Sequence, residues 1–234
     1  MNALFAADSI CKKFGEREIL KSASLWASPG RITALLGRNG CGKTTLLRIG
    51  AGLLSADAGA VHFDGHCYPR PRLATLAQRG LFYLPVEDLL PWQLTVRESL
   101  RWLEATYRTG ALEAAVRALG IEPFLEQHPG TLSGGERRRT DVAAVLTRAP
   151  RCLLADEPLL GMAPLDAEAL MAAFRRLAAD GCAVVVTGHE VPLLLELADE
   201  VIWMVAGTTH VLGNAAEARR HDAFIRDYLG WTTH

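Results

Sequence analysis

Gly37, Arg38, Asn39, Gly40, Cys41, Gly42, Lys43 and Thr44 fit the pattern G-x-x-x-x-G-K-[ST], and they directly follow the apolar run Ile32, Thr33, Ala34, Leu35, Leu36. That order predicts a buried strand, a glycine loop and a helix starting near Lys43. The loop turns backbone N–H groups onto phosphates, and the positive end of the helix adds to the attraction. In such a loop Lys43 reaches the β- and γ-phosphates and Thr44 ligates Mg²⁺; Asn39, Cys41 and Thr45 belong to the same expected nucleotide-contacting set. A bare match arises by chance in on the order of 1% of chains this long. With the strand before it and the helix after it, nucleotide binding becomes the working expectation.

Two further runs end in polar side chains. Cys152, Leu153, Leu154 and Ala155 lead to Asp156, Glu157 and Pro158, while Ala183, Val184, Val185 and Val186 lead to Thr187, Gly188 and His189. Both read as buried parallel strands, and the C-terminal edge of an open α/β sheet is where ligands bind. Asp156, Glu157 and His189 are therefore expected to share a crevice with the glycine loop. Leu132, Ser133, Gly134, Gly135 and Glu136 open a helix predicted to run to about Ala149. Ser133 and the two glycines there make a second anion site or, taken alone, an ordinary N-cap.

Several elements must hold these groups. Residues 1–36 alternate apolar runs with turn residues, as antiparallel strands do, and Val61, His62 and Phe63 before Asp64 and Gly65 predict another strand and turn. From about Thr95 the period becomes helical, with Leu100, Leu103, Leu112, Ala115, Val116 and Leu119 in step. The stretches from Val201 to Val205 and from Thr209 to Leu212 predict a closing hairpin, followed by helices to Leu229.

The 234 residues, 50% hydrophobic and 22% charged, suffice for a sizeable core. A net charge of -1 offers no basic footprint, so nucleic acid is not an expected partner. The chain contains no apolar run of membrane-spanning length and no basic-then-apolar leader, so any membrane role is expected to come through a partner. The five cysteines include no C-x-x-C pair, which points to reduced thiols and away from disulfides or zinc. Cys41, beside Lys43 and a helix N-terminus, is expected either to have a lowered thiol pKa or simply to fill a small space.

Taken together, the glycine loop, the Ser133–Gly134–Gly135–Glu136 turn and the Asp156–Glu157 strand end resemble the ATP-binding subunits of ABC transporters over nearly the whole chain. The resemblance implies an α/β fold, a P-loop NTPase (RecA-like) core with an N-terminal antiparallel β subdomain and an inserted α-helical signature subdomain. It divides a single domain 1–234 into core segments 1–84 and 149–234 and a helical subdomain 85–148. It implies ATP and Mg²⁺ as cofactors, with Asp156 holding the metal alongside Thr44. Glu157 takes the role of catalytic carboxylate, His189 contacts the γ-phosphate, and Phe14 stacks on adenine. The implied assembly is a head-to-tail dimer, with a second copy or a different ABC ATPase, in which Ser133, Gly134, Gly135 and Glu136 close over the other subunit's ATP. Transmembrane subunits are expected to dock near Val86–Trp92, through Leu89, Leu90 and Trp92, unless these residues simply pack the helical subdomain on the core. The expected location is cytoplasmic, at the inner face of the membrane.

Two positions depart from the family pattern. Val86 stands where a glutamine is usual, with Glu87 as a partial substitute, and Ala163 stands where many members carry aspartate. Ala163–Pro164 and the Tyr228–Leu229–Gly230 ending resemble the branched-chain amino-acid and lipopolysaccharide-export branch. Two other readings are a soluble ABC ATPase that drives assembly of another complex and a nucleotide-responsive subunit with little turnover.

Overall fold

The structure is a computed structural model that describes residues 3–229; Gly230, the end of the terminal motif, lies outside them. The chain begins with two long antiparallel strands, β1 (Phe5–Phe14) and β2 (Arg17–Ala27), and then enters β3 (Ile32–Leu36). The glycine loop leads into α1 (Lys43–Gly50), followed by the hairpin β4 (Ala58–Phe63) and β5 (His66–Tyr68), then α2 (Leu73–Gln78) and β6 (Leu81–Leu84). Helices α3 (Val96–Tyr107), α4 (Leu112–Leu119) and α5 (Gly134–Arg148) come next. The chain finishes with β7 (Cys152–Ala155), α6 (Pro164–Ala179), β8 (Ala183–Gly188), α7 (Val191–Leu197), the hairpin β9 (Glu200–Val205) and β10 (Thr208–Gly213), then α8 (Ala215–Ala218) and α9 (Asp222–Phe224). A π-helical turn, Ile225–Leu229, ends the described chain.

Two sheets result. One is antiparallel, in the order β2-β1-β4-β5; the other runs β10-β9-β3-β8-β7-β6 and is parallel except for β10 at its edge. All five residues of β3 are buried, as a strand at the centre of a covered parallel sheet must be. Side-chain alternation splits that sheet into two cores. Ile32, Ala34, Leu36, Leu153, Ala155, Val184 and Val186 face the helices. Leu35, Cys152, Leu154, Ala183 and Val185 face α1 and the antiparallel sheet. The short strand β6 was not legible in sequence, because its four residues carry no alternation of their own; burial of Leu81 and Leu84 at both ends holds it.

Thr95 caps α3 and Ser133 caps α5, each through a reciprocal box with the glutamate three residues on, Glu98 and Glu136. Phe174 on α6 is fully buried in the helix-side core, whereas Trp102 on α3 is 62% exposed. Phe174→Ala is expected to lower unfolding stability by about 3–5 kcal/mol and Trp102→Ala to change it by less than about 0.5 kcal/mol, as read by urea denaturation.

Candidate functional site

The glycine loop closes tightly on itself. Gly42 caps α1 with φ 114°, in the left-handed region, and a Cβ there would stand 2.8 Å from Leu20 Cδ2. At Gly37 a Cβ would meet the Met204 carbonyl at 2.6 Å. Lys43 is only 4% exposed, and its Nζ donates to the Gly37 carbonyl at 2.8 Å. The same ammonium lies 3.5 Å from Glu157 Oε1, and Glu157 Oε2 lies 3.6 Å from His189 Nδ1. The structure thus brings the three residues expected to do chemistry into one line at the C-terminal edge of the sheet. Glu157 itself has φ 44°, an unusual backbone for a non-glycine residue and one found at functional turns.

A cleft of ≈460 Å³ is lined by Phe14, Arg17, Ile19, Asn39, Gly40, Gly42, Lys43, Thr44, Thr45, Val86 and Glu157. Phe14 is not a core residue: it is 52% exposed, with Lys12 Nζ 5.4 Å from its ring centroid. Asp156 does not line the cleft. It is fully buried behind it, with Oδ1 accepting from Thr187 at 2.8 Å and Oδ2 from Tyr83 at 3.2 Å. Thr44 and Asp156 offer only oxygen donors, which suits a hard cation completed by phosphates and water. No cluster of three or more His, Cys, Asp or Glu stands ready as a metal cage among the described residues.

The Ser133 turn faces elsewhere. Its hydroxyl donates to Glu136 Oε2 at 2.7 Å, and Glu136 is held below the usual carboxylate range by that bond and the Ser133 amide. Gly134 and Gly135 line a second cavity, separate from the Phe14–Lys43 cleft, although Val86 and Glu157 border both.

Of the two readings of Cys41, the small space-filling residue is the one that fits. Burial raises its pKa and outweighs the lowering by the nearby Lys43 charge; sequence proximity counts charges but not desolvation. Leu90 packs into the helix-side core at 5% exposure while also lining a groove shared with Leu89, Pro91 and Trp102. Leu89 is half-buried, and Trp92 alone of the three is open, at 62%. Glu87 points away from the cleft to Arg48, 3.0 Å distant.

Five residues to which the sequence assigned no positioning role hold the site together. Arg138, 8% exposed on α5, donates to the carbonyls of Pro85, Asp156, Glu157 and Pro158 at 2.7–3.2 Å. Thr187 also accepts from the Glu157 amide at 2.9 Å. Tyr83 is pushed up to about 12 by burial and by Asp156, so its hydroxyl keeps its proton. Tyr228 accepts from the Gly37 amide at 3.2 Å, and Arg38 donates to the Asp227 carbonyl at 2.7 Å, so the chain's last turn braces the loop.

One turn beyond Arg138, Asp141 accepts from the Leu89 amide at 3.4 Å and lies 4.0 Å from Arg138. Burial pushes Asp141 up to about 7 from its ordinary 3.8, against the pull of Arg138. The folded chain therefore holds a proton that the unfolded chain has released, and stability relative to Asp141→Asn is expected to fall from about pH 4 to about pH 7 and then level off. Urea unfolding of both chains across that range measures the difference.

The chain is similar to known proteins over most of its length. The model of the ABC transporter family matches residues 20–160. A probable ABC transporter ATP-binding protein of Azorhizobium caulinodans is 32% identical over 231 residues, which cover 96% of this chain and 82% of that protein. The lipopolysaccharide export system ATP-binding protein LptB of Haemophilus influenzae is 29% identical, with 97% and 98% covered. The aliphatic sulfonates import ATP-binding protein SsuB of Ralstonia nicotianae is 35% identical, with 84% and 67% covered. A solved ATP-binding cassette of an ABC transporter superposes with a TM-score of 0.85 at 22% identity, covering 98% of this chain and 99% of that one.

Proposed function

Because the chain belongs to the ABC transporter ATP-binding family, we propose that it is the ATP-hydrolysing subunit of a membrane transporter, working as a head-to-tail dimer. The observation that carries this reading is the line Lys43–Glu157–His189 beside the glycine-loop cleft. In the proposed cycle the γ-phosphate takes Lys43 over from Glu157. Glu157 then orients a water in line with that phosphate and draws off its proton as the new P–O bond forms and the bond to ADP breaks. Lys43 and His189 stabilise the charge that spreads over the phosphate oxygens. Thr44 and Asp156 would hold Mg²⁺, which when bound would supply positive charge to the phosphate oxygens. Phe14 offers an open aromatic face for the adenine.

Ser133, Gly134, Gly135 and Glu136 serve a second copy. Within one chain Gly134 and Gly135 border a different cavity from the one lined by Lys43. Leu160 and Leu165, at 48% and 80% exposure, stand open just after the Asp156–Glu157 edge, where a second copy would cover them. We read residues 85–148 as a helical subdomain that carries this turn.

No helix among the described residues is long and apolar enough to cross a membrane, so the subunit acts through membrane-spanning partners and sits at the membrane's inner face. The surface offered to them is a groove of ≈410 Å³ lined by Phe82, Leu89, Pro91, Leu94, Trp102 and Tyr107 among others, with Trp92 nearby. Below it Arg148 is held between the rings of Phe82 and Tyr107, at 5.1 and 4.5 Å. The relatives' names cover both export and import, which favours transport over an assembly role without choosing a direction. The Ala163–Pro164 turn, Tyr228 and the likeness to LptB support a reading within the lipopolysaccharide-export and branched-chain amino-acid branch.

ATPase activity measured against protein concentration tests the reading. Mg²⁺-dependent hydrolysis is expected to rise more steeply than linearly and to fall by roughly 10²-fold or more in Glu157→Gln. Activity linear in protein and untouched by that substitution would refute the composite site.

A further inference from the structure

Two hydroxyls, one from each neighbouring strand, hold the fully buried Asp156 carboxylate just beyond the end of β7. Thr187 of β8 donates to Oδ1 at 2.8 Å, and Tyr83 of β6 donates to Oδ2 at 3.2 Å. The two are not equivalent. The Glu157 amide lies 2.9 Å from Thr187 Oγ1, and an amide N–H can only donate. It occupies a lone pair of that oxygen and leaves the single hydroxyl proton for Asp156. One atom of Thr187 therefore binds two neighbouring residues at once, the carboxylate of Asp156 and the backbone of Glu157.

That backbone needs a restraint. Glu157 has φ 44°, a conformation that a residue with a Cβ keeps only where its surroundings impose it. Arg138 holds the Glu157 carbonyl at 3.2 Å and Thr187 holds its amide, so the residue is fixed from both sides. Thr187 is itself buried, on a strand that is buried along its whole length, which leaves its hydroxyl little freedom to follow a partner that moves.

We infer that Thr187 is a positioning residue for the hydrolytic reaction: its one hydroxyl sets both the carboxylate that holds the divalent cation and the turn that aims the Glu157 side chain. The inference rests on the nucleotide-site reading above. Tyr83 shares only the first task, since its bond goes to Asp156 and not to the Glu157 turn.

The test compares Thr187→Val, which removes the hydroxyl and keeps the branched shape, with Thr187→Ser, which keeps the hydroxyl, and with Tyr83→Phe. Metal affinity is read in full chains that also carry Glu157→Gln, whose backbone amide is intact. Protein is in excess over ATP, and Mn²⁺ is titrated while its free-ion signal is followed by electron paramagnetic resonance. Thr187→Val and Tyr83→Phe are each expected to weaken Mn²⁺ binding by roughly tenfold, and Thr187→Ser by less than about threefold. With Glu157 restored, and at saturating Mg²⁺ and ATP, Thr187→Val is expected to keep a kcat lowered by roughly tenfold while Tyr83→Phe recovers to within about twofold of the parent. ATP affinity in EDTA is expected to be the same in every chain, which separates positioning from general damage to the fold. Unchanged Mn²⁺ affinity or an unchanged saturating rate in Thr187→Val, failure of Thr187→Ser to restore them, a saturating rate lowered equally by Tyr83→Phe, or an equal loss of ATP affinity in EDTA would each overturn the inference. Failure of the Glu157→Gln parent itself to bind ATP would instead overturn the nucleotide site on which it rests.

Discussion

One buried guanidinium is the interaction on which the site depends. At the end of β7 the chain turns through Asp156, Glu157 and Pro158, with Glu157 in a left-handed conformation, and their carbonyls leave the sheet without strand partners. Buried carbonyls need donors, and a buried cation needs acceptors. Arg138 satisfies both demands, and with its remaining nitrogen it holds the Pro85 carbonyl. Burial lowers the Arg138 pKa, but the side chain remains a cation with each of its three nitrogens engaged. Three segments far apart in sequence are thereby fixed to one another: the helix that starts at Ser133, the strand end that carries both acidic residues, and the loop that precedes Val86.

That linkage gives the proposed cycle its mechanical basis. Arg137 forms a two-pronged contact with Asp88, and Asp141 holds the Leu89 amide, so α5 grips the loop at three successive points. In that cycle a partner that moved the loop would move α5 with it, and α5 would present the Ser133 turn to a second copy. The buried parts of this network are stiff, while the Glu87–Arg48 pair at its margin lies in solvent. From the opposite side the phosphate loop is braced by the last described turn, where Phe224 packs between Trp203 and Tyr228 and delivers the Tyr228 hydroxyl to Gly37.

What was legible in sequence was what a contiguous stretch does with its own backbone. The glycine loop, the capped start of α5, the acidic strand end and the closing hairpin each carry their signal within a few residues, and the order of strand, loop and helix follows from it. The groups that orient those motifs were not legible, because each reaches its partner across the fold. Arg138 looks like one of three consecutive arginines, Thr187 like a strand residue, and Tyr83 like part of a loop until β6 is seen to pair with β7. Burial was the other missing quantity. It shows Leu90 packed in the core as well as lining the groove, and it decides between the two readings of Cys41 in favour of the unreactive one.

The most direct measurement is a crystal structure of the Glu157→Gln chain with ATP and Mg²⁺. The account predicts two copies arranged head to tail. Each ATP would have its adenine on Phe14, its γ-phosphate at Lys43 and His189, and Ser133 and Gly135 of the other copy closing over it. A nucleotide held by a single copy, with the Ser133 turn facing solvent, or an ATP bound away from the glycine-loop cleft would contradict it.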